Sequence, residues 1–282
     1  EVIQACCIVL DTMTFLNKKS IKTIFEKLCQ HVRSSTDSKL INFFMKPMRK
    51  LLVCYKGDLP MSKMILDTIF QNLQLLVSEQ IDATECSKYV CEMEKCYEDI
   101  SPKIFCNFSE IILKSKIPPP GFFMPIMTAI KIQKVPKEDI ENFCNGLLDI
   151  LKKKKVKAIY KSACAAIETL SVVFNVIPEA LNPIEPKVEA VSDFLKEIDL
   201  SELESPKMQN MIETAPYACN FILDVYANIN EEININEDLL LTIFKLLPFP
   251  VEVKCNEMIL KNIMKMIMKD KFSKWKIKSC RV

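Results

Sequence analysis

The residue types that most often carry catalysis are scarce in this chain of 282 residues. A serine or cysteine nucleophile normally needs a neighbouring base, most often histidine, and His31 is the only histidine. His31 lies near the end of a basic-tipped helical segment, where a histidine interacts well with the terminal carbonyl groups. The sequence therefore favours a structural role for His31 and points to no nucleophile and base pair.

Glycine is equally scarce, and this bears on phosphate binding. Loops that hold phosphate groups use clustered glycines so that backbone amides can approach the anion. The three glycines, Gly57, Gly121 and Gly146, are isolated from each other. The acidic residues also show no paired-carboxylate motif in a recognisable frame. We therefore predict no catalytic residue and no cofactor site, and we expect that the protein is not an enzyme.

The chain has 13 cysteines, and their spacing could suggest a metal site. The most regular series is Cys86, Cys91 and Cys96, but five residues turn an α-helix by about 140°, so consecutive members point to different faces. We therefore predict no metal site. Other cysteines occur in apolar stripes, where cysteine acts as a small hydrophobic residue: Cys29, Cys54, Cys144, Cys164 and Cys219. This usage indicates a reducing compartment, the cytoplasm or nucleus.

Helical periodicity dominates the chain. Apolar residues recur at intervals of three and four, and proline, which suits the first helical turn, follows Ser101 and Ser205, which we predict to be N-caps. Pro47, Pro125 and Pro216 fall inside apolar periods and are expected to kink or divide their helices. We predict helices near 2–16, 20–33, 38–55, 60–79, 82–99, 102–115, 121–133, 136–152, 156–176, 186–198, 206–229, 237–247 and 252–269.

Short loops between these segments predict antiparallel neighbours, paired in units of roughly 35 to 50 residues. In this spacing the chain resembles the α-solenoid class of the HEAT or armadillo kind, although no residue motif recurs. The resemblance implies an all-α fold, an irregular α-solenoid of about 12–13 antiparallel helices over residues 1–270. A compact multi-helix bundle is the alternative. A subdomain boundary is expected near 116–121, and residues 271–282 form a basic C-terminal tail.

One weakly charged run, residues 162–181, is just long enough to cross a bilayer at roughly 20 residues. It contains Pro178 and several polar residues, so we predict a buried helix and no membrane span. Because the chain starts at Glu1, we expect a piece of a longer intracellular protein.

Charge is nearly balanced overall, with 38 basic and 36 acidic residues, but it is segregated along the chain. Residues 179–238 contain 14 acidic and three basic residues, whereas residues 239–282 contain 10 basic and three acidic ones. In a solenoid, sequence neighbours are spatial neighbours, so this segregation predicts an electrically divided surface. The candidate partner-binding residues are Lys152, Lys153, Lys154, Lys155, Lys157, Lys161, Lys271, Lys274, Trp275, Lys276, Lys278, Glu197, Asp199, Glu202 and Glu204.

These patterns predict a non-enzymatic scaffold or adaptor module that binds other proteins through its charge-segregated surface. The alternative is a helical-repeat protein that binds nucleic acid, in which the lysine clusters contact phosphates and Trp275 stacks on a base. The lysine run at 152–155 is also compatible with a solvated loop. The sequence leaves the partner and the oligomeric state open.

Overall fold

The computed structural model describes residues 18–35, 37–55, 62–78, 83–152, 159–198, 206–228, 237–247 and 253–269. These residues form twelve α-helices and three short 3-10 helices, and the described ranges contain no β-strand. The predicted all-α fold is confirmed. The predicted helix at 2–16 lies outside the described residues.

The first helices of the chain are α1 (Lys18–Ser34), α2 (Ser38–Tyr55), α3 (Ser62–Ser78), α4 (Thr84–Cys96), α5 (Ser101–Lys114), α6 (Phe123–Ile132) and α7 (Lys137–Lys152). The remaining ones are α8 (Tyr160–Val176), α9 (Glu185–Lys196), α10 (Pro206–Asn228), α11 (Glu237–Leu246) and α12 (Val253–Met268). The 3-10 helices are Glu98–Ile100, Pro120–Phe122 and Pro178–Leu181.

The chain divides into two compact units, Glu1–Phe143 and Cys144–Val282. The division falls inside α7. Residues 116–121, where the proline run suggested a boundary, lie within the first unit between α5 and α6.

In the first unit the helices form two layers. The helices α1, α3 and α5 contact one another in sequence, and so do α2, α4 and α6. In each layer a polar contact also joins two helices. The Lys103 ammonium lies 2.7 Å from the Asp67 carboxylate between α5 and α3, and the Cys86 backbone N–H donates to Asn42 Oδ1 between α4 and α2. Among α1 to α6, helices therefore pack on their second neighbours along the chain as well as on first neighbours, such as α1 on α2 and α5 on α6.

The second unit repeats this arrangement. The helices α8, α10 and α12 form one layer, and α9 packs against α11 in the other. Lys187 of α9 is buried, and its ammonium donates to Asn145 Oδ1 of α7 at 2.6 Å and to the Pro183 carbonyl at 3.0 Å. A buried ammonium group needs such partners because its desolvation is costly. Lys187 thereby connects α9 to the C-terminal half of α7.

Of the three prolines that were expected to kink or divide their helices, none divides its helix. Pro47 lies inside α2 and Pro216 lies inside α10, and neither divides its helix. Pro125 is the third residue of α6, since that helix begins at Phe123. In a first turn the missing N–H would have had no helical partner, so Pro125 does not interrupt the helix.

Ser101 does not have the predicted capping role. It is the first residue of α5, whose N-cap is Ile100, and no side-chain hydrogen bond caps that helix. The reason is local: the 3-10 helix Glu98–Ile100 runs directly into α5, so the backbone at Ile100 is already helical. Ser205, the other predicted cap, lies outside the described residues.

The weakly charged run at 162–181 forms most of α8 and the 3-10 helix that follows it. Twelve of the 17 residues of α8 are buried, which agrees with the predicted buried helix. None of the described helices combines the length and the apolar character that crossing a membrane requires.

Phe108 is central to the core of the first unit. Its side chain is fully buried, and its ring lies edge-on to Phe122 at 5.2 Å and to Phe70 at 6.3 Å between centroids. Phe108→Ala removes both ring contacts and leaves a cavity, so we expect a loss of about 3–5 kcal/mol in the unfolding free energy.

The measurement is urea unfolding followed by far-UV circular dichroism. Phe43→Ala is the matched control, because Phe43 on α2 is 36% exposed. The assignment of Phe108 to the core fails if both variants lose the same stability.

Candidate functional site

A row of acidic side chains lies on α9. This acidic row consists of Glu185, Glu189 and Asp193, which are spaced by four residues and are all exposed. Four residues turn an α-helix by about 400°, so the three carboxylates project from nearly the same side. The other side of α9 is buried and holds apolar side chains, among them Val188, Val191, Phe194 and Leu195. Only Asp193 has an ion-pair partner in the described part of the chain, Lys196 at 3.2 Å.

The neighbouring helix α11 adds further negative charge. Glu237 and Asp238 occupy its first turn and are exposed. Carboxylates are favoured there because the partial positive charge of the helix N-terminus attracts them. Since α11 packs on α9, these two residues belong to the same layer as the acidic row.

The opposite layer of the second unit contains a polar cluster, which we call the amide cluster: Asn175 of α8, Asn220, Asp224 and Asn228 of α10, and Asn262 of α12. Asn262 Nδ2 donates to Asn220 Oδ1 at 2.9 Å, and Asn228 Nδ2 donates to Asp224 Oδ1 at 3.2 Å. The side-chain amides of Asn262 and Asn175 also lower the pKa of the Asp224 carboxyl group, while Asn175 Nδ2 donates to the Ser171 carbonyl at 2.8 Å. The cluster therefore links all three helices of the layer.

Asp224 is the centre of this cluster. Only 6% of the residue is exposed, and burial raises the pKa of its carboxyl group. The positive charge of Lys265 and the side-chain amides of Asn262, Asn228 and Asn175 act in the opposite sense and lower the pKa. Removing this buried carboxyl group would take away an acceptor of Asn228 Nδ2 and leave a space among polar side chains, which is costly.

Beside the amide cluster is a lysine row, formed by Lys261 and Lys265 of α12 and by Lys269, which directly follows the helix. Lys261 and Lys269 are exposed, whereas Lys265 is half-buried near Asp224. The Lys269 ammonium donates to the Ala227 carbonyl of α10 at 2.8 Å. The exposed acids of this unit thus lie mainly on α9 and α11, and the described cations of α12 lie in the other layer.

Three of the residues predicted from sequence are described. Lys152 ends α7 and Lys161 lies in the first turn of α8, and both are exposed. Glu197 follows α9, is half-buried and interacts electrostatically with Tyr160. This places one predicted acidic residue near the start of α8, where Lys161 also lies. The others lie outside the described residues: Lys153, Lys154, Lys155, Lys157, Asp199, Glu202, Glu204, Lys271, Lys274, Trp275, Lys276 and Lys278.

Three features were not predicted from the sequence: the amide cluster, the alignment of the acidic row on one side of α9, and the buried acid Glu94. The spacing of four between Asn220, Asp224 and Asn228 is a readable signal of one helix face. The link from Asn220 to Asn262 spans 42 residues and leaves no local signal.

Glu94 of α4 is fully buried, and neither carboxyl oxygen has a hydrogen-bond partner within the described part of the first unit. Burial raises the pKa of this carboxyl group to about 9. The group therefore keeps its proton at neutral pH, because ionisation in an apolar surrounding is costly. Its position four residues after the buried Val90 marks it as part of the apolar stripe of α4.

The described cysteines are free thiols, and most of them are buried. Burial raises the pKa of Cys29, Cys86 and Cys91 to about 12 and that of Cys164 to about 11. Because the thiolate is the reactive form, these thiols are poor nucleophiles at neutral pH. Cys86, Cys91 and Cys96 all lie on α4, and the described residues contain no group of three or more His, Cys, Asp and Glu that could hold a metal ion.

Comparisons with protein-family models, curated proteins and solved structures find no match to this chain.

The raised pKa of Glu94 predicts how stability depends on pH. Between roughly pH 4.5 and 9 the unfolded carboxyl is ionised while the folded one keeps its proton, so unfolding releases a proton. The unfolding free energy of the first unit therefore falls as pH rises through this window, by at most about 1.4 kcal/mol per pH unit. Glu94→Gln removes this slope, and we expect the variant to gain on the order of 2–4 kcal/mol relative to the wild type at pH 8.

Urea unfolding at a series of pH values measures the slope. Glu92→Gln is the control, because Glu92 forms a partly exposed pair with Lys95 and such pairs contribute about 0–1 kcal/mol. An unchanged slope in Glu94→Gln would show that Glu94 is ionised or solvated in the folded protein.

Proposed function

We propose that this chain is a non-enzymatic interaction module, a scaffold or adaptor that binds other proteins through charge-separated helical surfaces. The observation that supports this proposal is the acidic row Glu185, Glu189 and Asp193, exposed on α9 with Glu237 and Asp238 on the packed neighbour α11. Rows of like charge raise the local potential and steer a complementary surface into register.

The row keeps uncompensated charge, because Lys196 pairs with Asp193 but Glu185 and Glu189 make no ion pair with the described residues. Like charges spaced by four on one helix destabilise that helix by a few tenths of a kcal/mol per pair. A basic surface of a partner would relieve this repulsion and gain electrostatic attraction that falls with added salt. The expected partner of the acidic row is therefore a protein surface rich in lysine or arginine.

The layered packing within each unit supports a solenoid of the HEAT or armadillo kind over a compact bundle. In both units a helix contacts its second neighbour, α2 with α4 and α10 with α12 among others. This is the packing by which repeats contact only their neighbours. Buried, protonated thiols support a structural use of cysteine, and with it a reducing compartment, the cytoplasm or nucleus.

Nucleic-acid binding is the second candidate function, and the exposed Lys152 and Lys161 favour it. They stand on either side of residues 153–158, which contain four more lysines. Phosphate contacts would give a steep loss of affinity with salt, with a logarithmic slope of roughly one unit per neutralised phosphate. A flat salt response of binding to mixed-sequence RNA and DNA would remove this candidate.

Neutralising the acidic row tests the proposed function. In the variant Glu185→Gln, Glu189→Gln, Asp193→Asn, we expect complexes recovered from cells with the tagged full chain to fall roughly fivefold or more for partners that bind this row, as the loss of about 1 kcal/mol of attraction implies. Quantitative mass spectrometry after affinity purification measures the change.

The control neutralises three exposed acids of the first unit, Glu110→Gln, Glu138→Gln and Asp139→Asn, and is expected to retain those partners. Nuclease treatment of the extract identifies complexes that depend on nucleic acid. If all complexes survive the α9 substitutions unchanged, the acidic row is not a binding surface and the proposal is wrong.

A further inference from the structure

The last described helix, α12, exposes a second apolar face. Leu260, Met264 and Ile267 are 56%, 62% and 60% exposed, and the adjacent Met268 is 84% exposed. We call Leu260, Met264, Ile267 and Met268 the apolar row. Single exposed apolar residues are ordinary on protein surfaces, but four of them on one side of one helix form a contiguous patch.

The helical wheel separates this row from the face that α12 buries. Ile259 and Met266 are fully buried and lie within about 20° of each other around the helix. Leu260, Ile267, Met264 and Met268 follow at about 80° to 180° from Ile259. The row is therefore distinct from the core stripe, and its exposure is not fraying of core residues.

The apolar row also points away from α10. Asn262, which hydrogen-bonds Asn220 of α10, lies at about 300° on the same wheel, on the other side of the buried face. In this layer α10 has a helix on both sides, α8 and α12. The apolar row occupies the flank of α12 at which a further helix of the layer would pack, so a helix is the shape that fits it.

The charged residues beside the apolar row indicate which kind of helix could bind there. The lysine row lies at about 200° to 280° on the wheel, directly beside Met268. Lys261 is exposed and makes no ion pair or hydrogen bond with the described residues. Glu257, the one exposed acid among the described side chains of α12, lies at about 160° on the wheel, at the N-terminal end of the apolar row and more than one helical turn before Lys261. An incoming helix that covers the apolar row would thus have its edge against lysines.

We propose that α12 binds an amphipathic helix of a partner protein, one with an apolar stripe for Leu260, Met264 and Ile267 and acidic residues along the edge that faces Lys261 and Lys265. Binding buries the apolar row and places carboxylates within reach of the ammonium groups. This goes beyond the proposed function, since it uses another surface and a partner of opposite charge to the one expected at the acidic row.

Fluorescence anisotropy with the full chain tests this proposal. The probe is a labelled peptide of the length of α12, 16 residues, with leucine at alternating intervals of three and four, glutamate beside the leucine stripe, and alanine elsewhere. We expect saturable binding with a Kd in the micromolar range, roughly tenfold weaker when lysine replaces glutamate and absent when serine replaces leucine.

The variant Leu260→Gln, Ile267→Gln removes the apolar contact while keeping residues that favour a helix. We expect roughly tenfold weaker binding or more for this variant and a severalfold loss for Lys261→Glu. The matched control is Val53→Gln, Leu113→Gln, two exposed apolar residues of the first unit that are 51% and 41% exposed, and it should bind like the wild type. Circular dichroism confirms equal helicity.

The proposal is wrong if the apolar row is covered by another part of this chain or by a second copy of it. If the full chain does not bind the peptide and Met264 is protected from oxidation, residues 270–282 of the chain itself cover the row. A second copy covers it if sedimentation velocity shows a dimer that Leu260→Gln, Ile267→Gln dissociates. Binding that is indifferent to the charge of the peptide also contradicts it. None of these results depends on the acidic row, whose failure would leave this site untouched.

Discussion

The surfaces of the second unit depend on one buried carboxyl group, that of Asp224. Burial of apolar side chains stabilises the packing of α8, α10 and α12. Dispersion and the hydrophobic effect are non-directional, however, so they do not determine the axial position and rotation of one helix relative to the next. Polar contacts are directional: Asn228 donates to Asp224 within α10, and Asn262 of α12 donates to Asn220 of α10. The amides of Asn262 and of Asn175 on α8 also lower the pKa of the Asp224 carboxyl group. Through them the rotation of α12 is set, and with it the faces that remain exposed.

This rotation gives α12 three distinct sides. Ile259 and Met266 enter the core, Lys269 reaches back to the Ala227 carbonyl, and Met264 stays exposed. In the other layer the carboxylates of α9 and α11 are exposed because those helices bury leucine, valine and phenylalanine on their inner sides. The exposed Glu185, Glu189, Asp193, Glu237 and Asp238 thus lie in the layer of α9 and α11, and the lysine row lies in the layer of α12.

Much of this fold could be predicted from the sequence because its signals are local. The range 38–55 matches α2, and most other limits differ from the structure by a few residues, since apolar periodicity and proline act within one helix. The helix predicted at 82–99 ends at Cys96, because a 3-10 helix takes over at Glu98. The N-cap predicted at Ser101 was wrong for the same reason. Serine before proline is a frequent N-cap, but the 3-10 helix that precedes Ser101 continues directly into α5.

The candidate site was less predictable because its contacts are distant along the chain. The excess of acid between 179 and 238 was visible, yet it did not distinguish the exposed Glu189 from the buried Asp224, whose amide partner Asn262 is 38 residues away. Glu94 falls on an apolar stripe, so its burial was readable in principle. The absence of a hydrogen-bond partner among the described residues was not, because that depends on which side chains of other helices face it.

Hydrogen exchange of the full chain with Asp224→Ala tests the central role of this carboxyl group most directly. In the Asp224→Ala variant we expect the backbone amides of α12 and of the C-terminal half of α10 to exchange roughly tenfold faster or more than in the wild type. The amides of α2 to α6 should keep their wild-type exchange rates. Asp193→Ala, which removes an exposed carboxylate of α9, should leave α12 unaffected. Wild-type exchange throughout α12 in the Asp224→Ala variant would contradict the account.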